Sequence, residues 1–247
     1  MTGFAIAVDI GGTFTDVVLR RRDGRFWSDK TLTTSGNLQD GFFHAIEAVL
    51  AKAQLTSADV DEVVVHATTV VTNAVIERKG AKTALLVTEG FRDLLAIRDE
   101  CRSDIYDNQI EVPEPLIPTE LTYVVPERTL ADGTVLKAVD EEAVRRVARA
   151  LAGAAVQSAA VCLLDAYRNP ENERRVRAIL LDELPGLYVS LSAEVAPQVR
   201  EYPRASTTAI NAYTVPIVRP YLQSLEQRLR ETGFRQDLLI MLSSGGV

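Results

Sequence analysis

A mixed α/β sheet that opens with an antiparallel β-meander is the fold class this sequence predicts. Three observations point to it. Strand-like apolar stretches run through 4–10 and 14–20 with only Gly11-Gly12-Thr13 between them, and "RFWSDKTLT" (25–33) follows the turn signal Asp23-Gly24. Past residue 37, helical and strand patterns alternate, as in a sheet covered by helices. The composition, 47% hydrophobic and 25% charged over 247 residues, supports a sizeable globular core.

After the meander, Phe42, Ile46, Val49, Leu50 and Ala53 recur at helical spacing. Asn37 caps this helix, and Asp40 lies in its first turn, where the helix dipole favours a carboxylate. "EVVVHA" (62–67) is a short buried strand. A helix starting at Thr68 or Thr69 runs through "TVVTNAVIERKG" and stops at Gly80. "TALLVT" (83–88) is the next strand. Residues 98–136 hold Pro113, Pro115, Pro118 and Pro126 and the polar run "RDECRSDIYDNQ", which predicts a long surface excursion or lid with a hairpin across Asp132-Gly133. Asp140 then caps a helix with the stripe Val144, Val147, Ala148 and Leu151, ending near Gly153. "SAAVCLLDA" (158–166) is a buried strand, Asn169-Pro170 opens a helix that Pro185-Gly186 closes, and 187–192 is a strand. Helices over 203–213 and 219–231 precede a last strand, 238–242, and then Ser243-Ser244-Gly245-Gly246.

The net charge of −7 excludes a general basic field for nucleic acid, because neutralising phosphates needs a basic surface. The two cysteines, Cys101 and Cys162, have no metal-ligand or disulfide-framework spacing; Cys162 reads as a core residue, and free thiols suit a reducing compartment. No basic, apolar leader and no membrane-length apolar run is present, so a cytoplasmic protein with no membrane partner is expected. His66, at the end of a buried strand, is expected to be a satisfied core residue rather than a base.

The opening turn has two accounts. Gly-Gly is a good tight-turn pair by itself. Yet Asp9 ends an apolar strand, where a carboxylate is costly without a partner. Glycines also let backbone N–H groups approach a phosphate closely. Thr13 and Thr15 add hydroxyls along one side of the returning strand, with Asp16 beside them. The spacing is neither the Walker loop nor the dinucleotide fingerprint. Such a hairpin would hold phosphate through its backbone while one carboxylate, Asp9, holds Mg²⁺, which takes few protein ligands.

"DIGGTFTD" resembles the first phosphate motif of the actin, sugar-kinase and heat-shock ATPase superfamily, whose lobes have a ribonuclease H-like fold. The segments "HATTVVTNAVIERKGAKTALLVTEGFRDLL", "YRNPENERRV", "SAEVAPQVREYPRASTTAINAYTVP" and "LLIMLSSGGV" resemble, in order, the hydantoinase/oxoprolinase family, over nearly the whole chain. That family includes ATP-dependent hydantoinase and 5-oxoprolinase subunits and acetone carboxylase beta subunits. The resemblance implies an N-terminal domain over 1–200 and the start of the following ATPase domain over 201–247.

It also implies a chemistry: ATP phosphorylates a carbonyl oxygen of a cyclic amide, activating a poor electrophile for ring opening. By position, Gly11, Gly12, Thr13, Thr15, Gly245 and Gly246 would hold ATP, Asp9 would hold Mg²⁺, and Asp9 and Asp16 would act at the reacting phosphate. Thr68, Thr69, Asn73, Arg102 and Arg128 would meet a small carbonyl substrate; capping and ordinary loop contacts are the simpler alternatives for the threonines and Arg102. Ala67 stands where the family usually has glycine, and "CRSDIYD" lacks the proline of the family's "R-P-x-L-Y-D"-like piece, so the substrate is left unassigned between hydantoin, oxoproline and lactam types. A hydantoinase B-type partner subunit is expected. So is a second lobe beyond Val247, without which the chain would bind ATP weakly and turn over nothing. A ketone carboxylase subunit, a small-molecule kinase and a non-catalytic structural subunit are the alternatives.

Overall fold

The structure, a computed structural model, describes residues 3–34, 37–99, 106, 109, 113–242 and 244–246. Along the chain run β1 (Phe4–Ile10), β2 (Phe14–Arg21), β3 (Phe26–Leu32), α1 (Leu38–Ala53), β4 (Val63–Thr68), α2 (Val70–Ile76), β5 (Thr83–Thr88), α3 (Leu94–Ile97), β6 (Thr122–Val125), β7 (Arg128–Thr129), β8 (Val135–Lys137), α4 (Glu141–Gly153), β9 (Ser158–Cys162), α5 (Glu171–Glu183), β10 (Tyr188–Leu191), α6 (Ser192–Val195), α7 (Glu201–Glu231) and β11 (Leu238–Ile240). They form two compact units, one of residues 1–77 with 218–247 and one of 78–217. The chain therefore changes unit at 77/78 and 217/218.

The first unit is a mixed sheet in the order β11-β4-β1-β2-β3. The expected meander pairs β1 with β2 and β2 with β3, all antiparallel, while β4 runs parallel to β1 and β11 parallel to β4. Strand alternation puts Ile6, Val8, Ile10, Val17, Leu19 and Val64 on one face. Helix α1 lays Phe42, Phe43, Ile46, Val49 and Leu50 against that face, and the later part of α7 adds Leu225 and Leu229. Asn37 caps α1 as expected, its Oδ1 accepting from the Gln39 amide at 3.2 Å. The opposite face carries the exposed Asp9, Asp16, Val18 and Lys30.

The second unit holds a parallel sheet in the order β10-β9-β5-β6. Its central strands β5 and β9 are buried at every position, and their middles, Ala84–Val87 and Ala159–Val161, are wholly apolar because both faces are covered. Ala84, Leu86, Ala159 and Val161 pack with Val144 and Leu151 of α4 and Val176 and Leu180 of α5. Leu85, Val87, Ala160 and Cys162 pack with Ala205, Ala209 and Ala212 of α7. Asp140 caps α4 through the Ala143 amide at 2.9 Å, and the β7–β8 hairpin turns at Gly133, whose φ of +90° favours glycine. Among the described residues no helix is long and apolar enough to cross a membrane.

Three expectations change. The excursion 98–136 is not all surface: β6 joins the core sheet beside β5, with Val125 fully buried. The two late helices are one, α7, which continues through Pro216 and Pro220. Each proline removes one backbone donor, but Ala205, Ala209 and Ala212 on one side and Leu225 and Leu229 on the other are buried and anchor the whole length. Finally, α2 ends at Ile76, so Gly80 is not its stop. Gly80 lies against Tyr213, and a Cβ there would sit 2.0 Å from the ring carbon Cε1. Gly80→Ala is accordingly expected to destabilise by about 1–3 kcal/mol through overpacking, read from urea denaturation midpoints.

Candidate functional site

The candidate site gathers at one edge of the first unit's sheet. Because β1, β4 and β11 are parallel neighbours, their C-terminal ends lie together. After β1 comes the Gly11-Gly12-Thr13 turn, after β4 come Thr68 and Thr69, and after β11 comes the turn holding Gly245 and Gly246. Ligands of open α/β sheets bind outside such carboxyl ends.

Within the first turn, the Gly11 amide donates to the Phe14 carbonyl at 3.0 Å. Gly11 is therefore not available to grip an anion, contrary to the expectation from position. The turn's carbonyls are also engaged: the Thr33 hydroxyl donates to Gly11 O at 3.0 Å, and the Thr33 amide donates to Thr13 O at 3.0 Å. The amides of the exposed Gly12 and Thr13 have no partner among the described residues. Gly12 is not in the left-handed region, and a Cβ on it would meet nothing nearer than Asn73 Nδ2 at 4.0 Å. Neither backbone conformation nor internal packing requires a glycine there. The space it leaves suits an anion on two free amides, so the residues present fit a phosphate.

Thr15 departs from expectation. Strand alternation turns it to the same face as Val17 and Leu19, so it is fully buried, its hydroxyl paired with that of Thr33 at 3.1 Å. It braces the turn from below. Asp16 faces the other way, directly opposite Asp9 in the β1–β2 register. Both oxygens of Asp16 accept from Lys30 Nζ, at 2.9 and 3.1 Å. Asp9 is exposed and, among the described residues, has no hydrogen-bond or ion-pair partner. No group of three or more His, Cys, Asp or Glu that could hold a metal ion exists among the described residues. The donor set suits Mg²⁺ held by one carboxylate, water and phosphate oxygens rather than a protein cage.

Thr68 and Thr69 occupy the β4–α2 junction. The Thr68 hydroxyl accepts from the Val70 amide at 3.2 Å, and the Thr69 hydroxyl accepts from Asn73 Nδ2 at 3.2 Å. The Thr69 amide donates to Ile10 O at 3.3 Å, which ties this junction to the first turn. Thus Gly12, Thr69 and Asn73 are brought together. With seven residues, α2 is too short to offer a helix-terminus anion site. Gly245, at φ +83°, closes an exposed turn in which its amide donates to Leu242 O at 2.9 Å. Arg102 lies outside the described residues. Arg128 belongs to the second unit, where its guanidinium carbon is 5.9 Å from the centroid of the Phe91 ring.

His66 is the core residue expected of it. It is fully buried, with Nδ1 3.3 Å from Val8 O and Nε2 3.0 Å from the Tyr221 hydroxyl, and it meets the Phe42 ring edge-on. Burial holds its pKa below the usual 6.5, the Val8 carbonyl and Asp9 pulling the other way. The unfolded chain therefore binds more protons as pH falls below about 6.5, and the stability that the neutral ring contributes is lost in that direction. The stability gap between wild type and His66→Gln is expected to narrow below about pH 6.5, by up to about 1.4 kcal/mol per pH unit, in paired urea titrations from pH 7 to 5.

Several motif residues serve the second unit instead. Glu127 is buried and accepts from the Thr88 hydroxyl and from Asn172 Nδ2 at 2.7 Å, and Asn172 also reaches Thr129 at 3.3 Å. Glu173 accepts from the amides of Leu163 at 3.0 Å and Ala193 at 2.9 Å and from the Ser192 hydroxyl. Arg204, also fully buried, donates to Leu163 O at 2.7 Å and to Ser192 Oγ at 3.2 Å. Arg204 is thus a lock at the carboxyl end of β9. Burial raises the Glu127 and Glu173 carboxyls above their usual range, and drives the Cys162 thiol to about 12, which leaves it inert. Thr33 and Lys30 are contributors to the site that no local sequence signal marks.

Together the meander, the parallel strands beside it and the helices on them have the fold of the N-terminal lobes of the actin-like ATPase class. Residues 5–184 match the hydantoinase/oxoprolinase N-terminal region, and residues 204–247 match the hydantoinase/oxoprolinase domain that follows it. The chain belongs to the hydantoinase/oxoprolinase family. It is 32% identical over 250 residues to the caprolactamase alpha subunit of Pseudomonas jessenii, covering 99% of this chain and 36% of that protein. It is 31% identical over 270 residues to 5-oxoprolinase 1 of Arabidopsis thaliana, covering 97% of this chain and 21% of that protein. The nucleotide-free structure of acetone carboxylase, from work on ATP-dependent acetone carboxylation, superposes with a TM-score of 0.89 at 31% identity, over 100% of this chain and 37% of that one. The chain thus spans about a third or less of the relatives it matches.

Proposed function

We propose that this chain supplies the first phosphate-gripping lobe of an ATP-dependent enzyme that activates a cyclic amide by phosphorylating its carbonyl oxygen. One observation carries the reading: the Gly12 and Thr13 amides and the Asp9 carboxylate, all without a partner among the described residues, lie at the carboxyl end of β1, next to its parallel neighbour β4. The amides would take terminal phosphate oxygens and Asp9 would hold Mg²⁺ through water. When bound, MgATP supplies the phosphoryl group that turns a poorly electrophilic amide carbonyl into a reactive one. The chain's own part is positioning and charge stabilisation, which dominate phosphoryl transfer and need no strong protein nucleophile. Thr33 and Thr15 hold the turn rigid from beneath, so the amides are preorganised before nucleotide arrives.

The 5-oxoprolinase and caprolactamase relatives favour ring opening, and the second is named as an alpha subunit, which favours an assembly with a partner subunit. The assembly is proposed to be cytoplasmic. A second reading, ketone carboxylation, is favoured by the acetone carboxylase likeness. The test is an ADP-release assay on the full-length protein, with and without a co-expressed partner subunit, using hydantoin, 5-oxoproline, caprolactam and acetone with bicarbonate. Ring opening predicts ADP in step with the opened acid. Bicarbonate-dependent consumption of acetone would establish the second reading. ATP turnover unaffected by every substrate would overturn both.

A further inference from the structure

We propose that Lys30 is a positioning residue of this site, acting by neutralising Asp16 so that a polyanionic nucleotide can settle on the turn. The inference rests on the reading of the Gly12-Thr13 turn as the phosphate grip. Its own basis is the register of the meander. Asp9 stands opposite Asp16, and Asp16 opposite Lys30, so the three side chains form one row across the open face of the sheet.

Like charges directly opposite on neighbouring strands repel. Two uncompensated carboxylates would also present a double negative charge beside the place that triphosphate oxygens must reach. Lys30 removes half of that charge by bonding both oxygens of Asp16. It leaves Asp9, the carboxylate nearer the turn in sequence, without a partner among the described residues. The ammonium also lies 4.8 Å from the centroid of the Phe14 ring, and Phe14 is the residue whose carbonyl closes the turn on the Gly11 amide. Lys30 is thus held against the base of the turn itself. In this arrangement Asp16 is a charge-balanced neighbour rather than a second metal ligand, and the roles of two aspartates that look alike in sequence are separated by one lysine.

The pair is about half exposed on both sides, 54% and 51%, so its removal leaves the fold nearly unchanged. The effect belongs in nucleotide binding. Calorimetric titration of MgATP into the full-length protein reads it, at low and at moderate salt. Lys30→Met is expected to weaken binding about tenfold at low salt, the scale of one unit charge at a partly exposed site, and less at higher salt. Lys30→Arg keeps the charge and is expected to stay within about twofold of wild type. Lys30→Met combined with Asp16→Asn removes both charges and is expected to recover most of the loss. A double variant as weak as Lys30→Met alone would overturn the neutralising role, since Lys30 would then be touching phosphate directly. Unchanged affinity in Lys30→Met would overturn the inference altogether, provided Gly12→Val abolishes binding in the same series. If Gly12→Val binds normally as well, the fault lies with the reading of the turn.

Discussion

Arg204→Met is expected to lower the unfolding free energy by about 3–5 kcal/mol, the cost of leaving a buried ionic partner uncompensated. The side chain is fully buried. Its guanidinium joins the end of β9, through Leu163 O, to the start of α6, through Ser192 Oγ, and reaches Glu201 at 3.3 Å on its own helix. Glu173 is fixed on the same two elements from the other side, by the Leu163 and Ala193 amides. Without the arginine, the Glu173 carboxylate stays buried among two amides and a hydroxyl with no cation near it. Its carboxyl is already raised by burial, against the pull of Ser192, of the two amides and of Arg204, and losing Arg204 raises it further. A group raised in the folded state contributes stability below its unfolded pKa and loses it as pH climbs through the folded value. The penalty of Arg204→Met is therefore expected to grow as pH rises past the raised value that the Glu173 carboxyl has in wild type, where only the variant still holds the proton. Arg204→Met with Glu173→Gln is expected to recover part of the loss. Urea denaturation of wild type and the two variants at pH 5 and 7 measures both effects. A deficit independent of pH, and unaltered by Glu173→Gln, would contradict the coupling.

Gly12→Val is expected to abolish nucleotide binding, by at least about a hundredfold in MgATP affinity, while moving stability by less than about 1 kcal/mol. The two expectations come from one observation. Gly12 is outside the left-handed backbone region and faces open space, the nearest atom to a Cβ being Asn73 Nδ2 at 4.0 Å. Folding tolerates a side chain at this position. A phosphate resting on the Gly12 and Thr13 amides does not, because the isopropyl group would occupy the approach to both. Calorimetry with MgATP on the full-length protein, beside a denaturation curve of the same variant, separates the two. Retained affinity would mean that the turn only reverses the chain.

Local signals carried the parts of the fold that sequence made legible. The meander, the caps at Asn37 and Asp140 and the hairpin at Asp132-Gly133 each rest on a few neighbouring residues. Strand β6 was hidden because it is four residues long, lies between Pro118 and Pro126, and finds its partner in Leu85–Thr88, far back in the chain. The continuity of α7 was hidden because the burial anchoring both of its ends outweighs two prolines, and burial of that kind is tertiary. At the site, Asp9 and the glycine turn stood out as a carboxylate and two glycines ending an apolar strand. The burial of Thr15 was readable from the parity it shares with Val17 and Leu19. Thr33 and Lys30 were not readable, since only the pairing of β3 with β2, and the run of chain just after β3, carries them to the turn.

The second unit is one unbroken stretch of chain, whereas the first is assembled from two stretches that enclose it. This sets an order of events at the ribosome, where chains emerge from the N-terminus and units fold as they are completed. Strands β1 to β4 and helix α1 are made first but must wait for Leu225, Leu229 and β11 to close their core. The stretch 78–217 is fully translated in the meantime. The half that is begun first is the half that is finished last, and until then its uncovered apolar face is the surface a chaperone would meet.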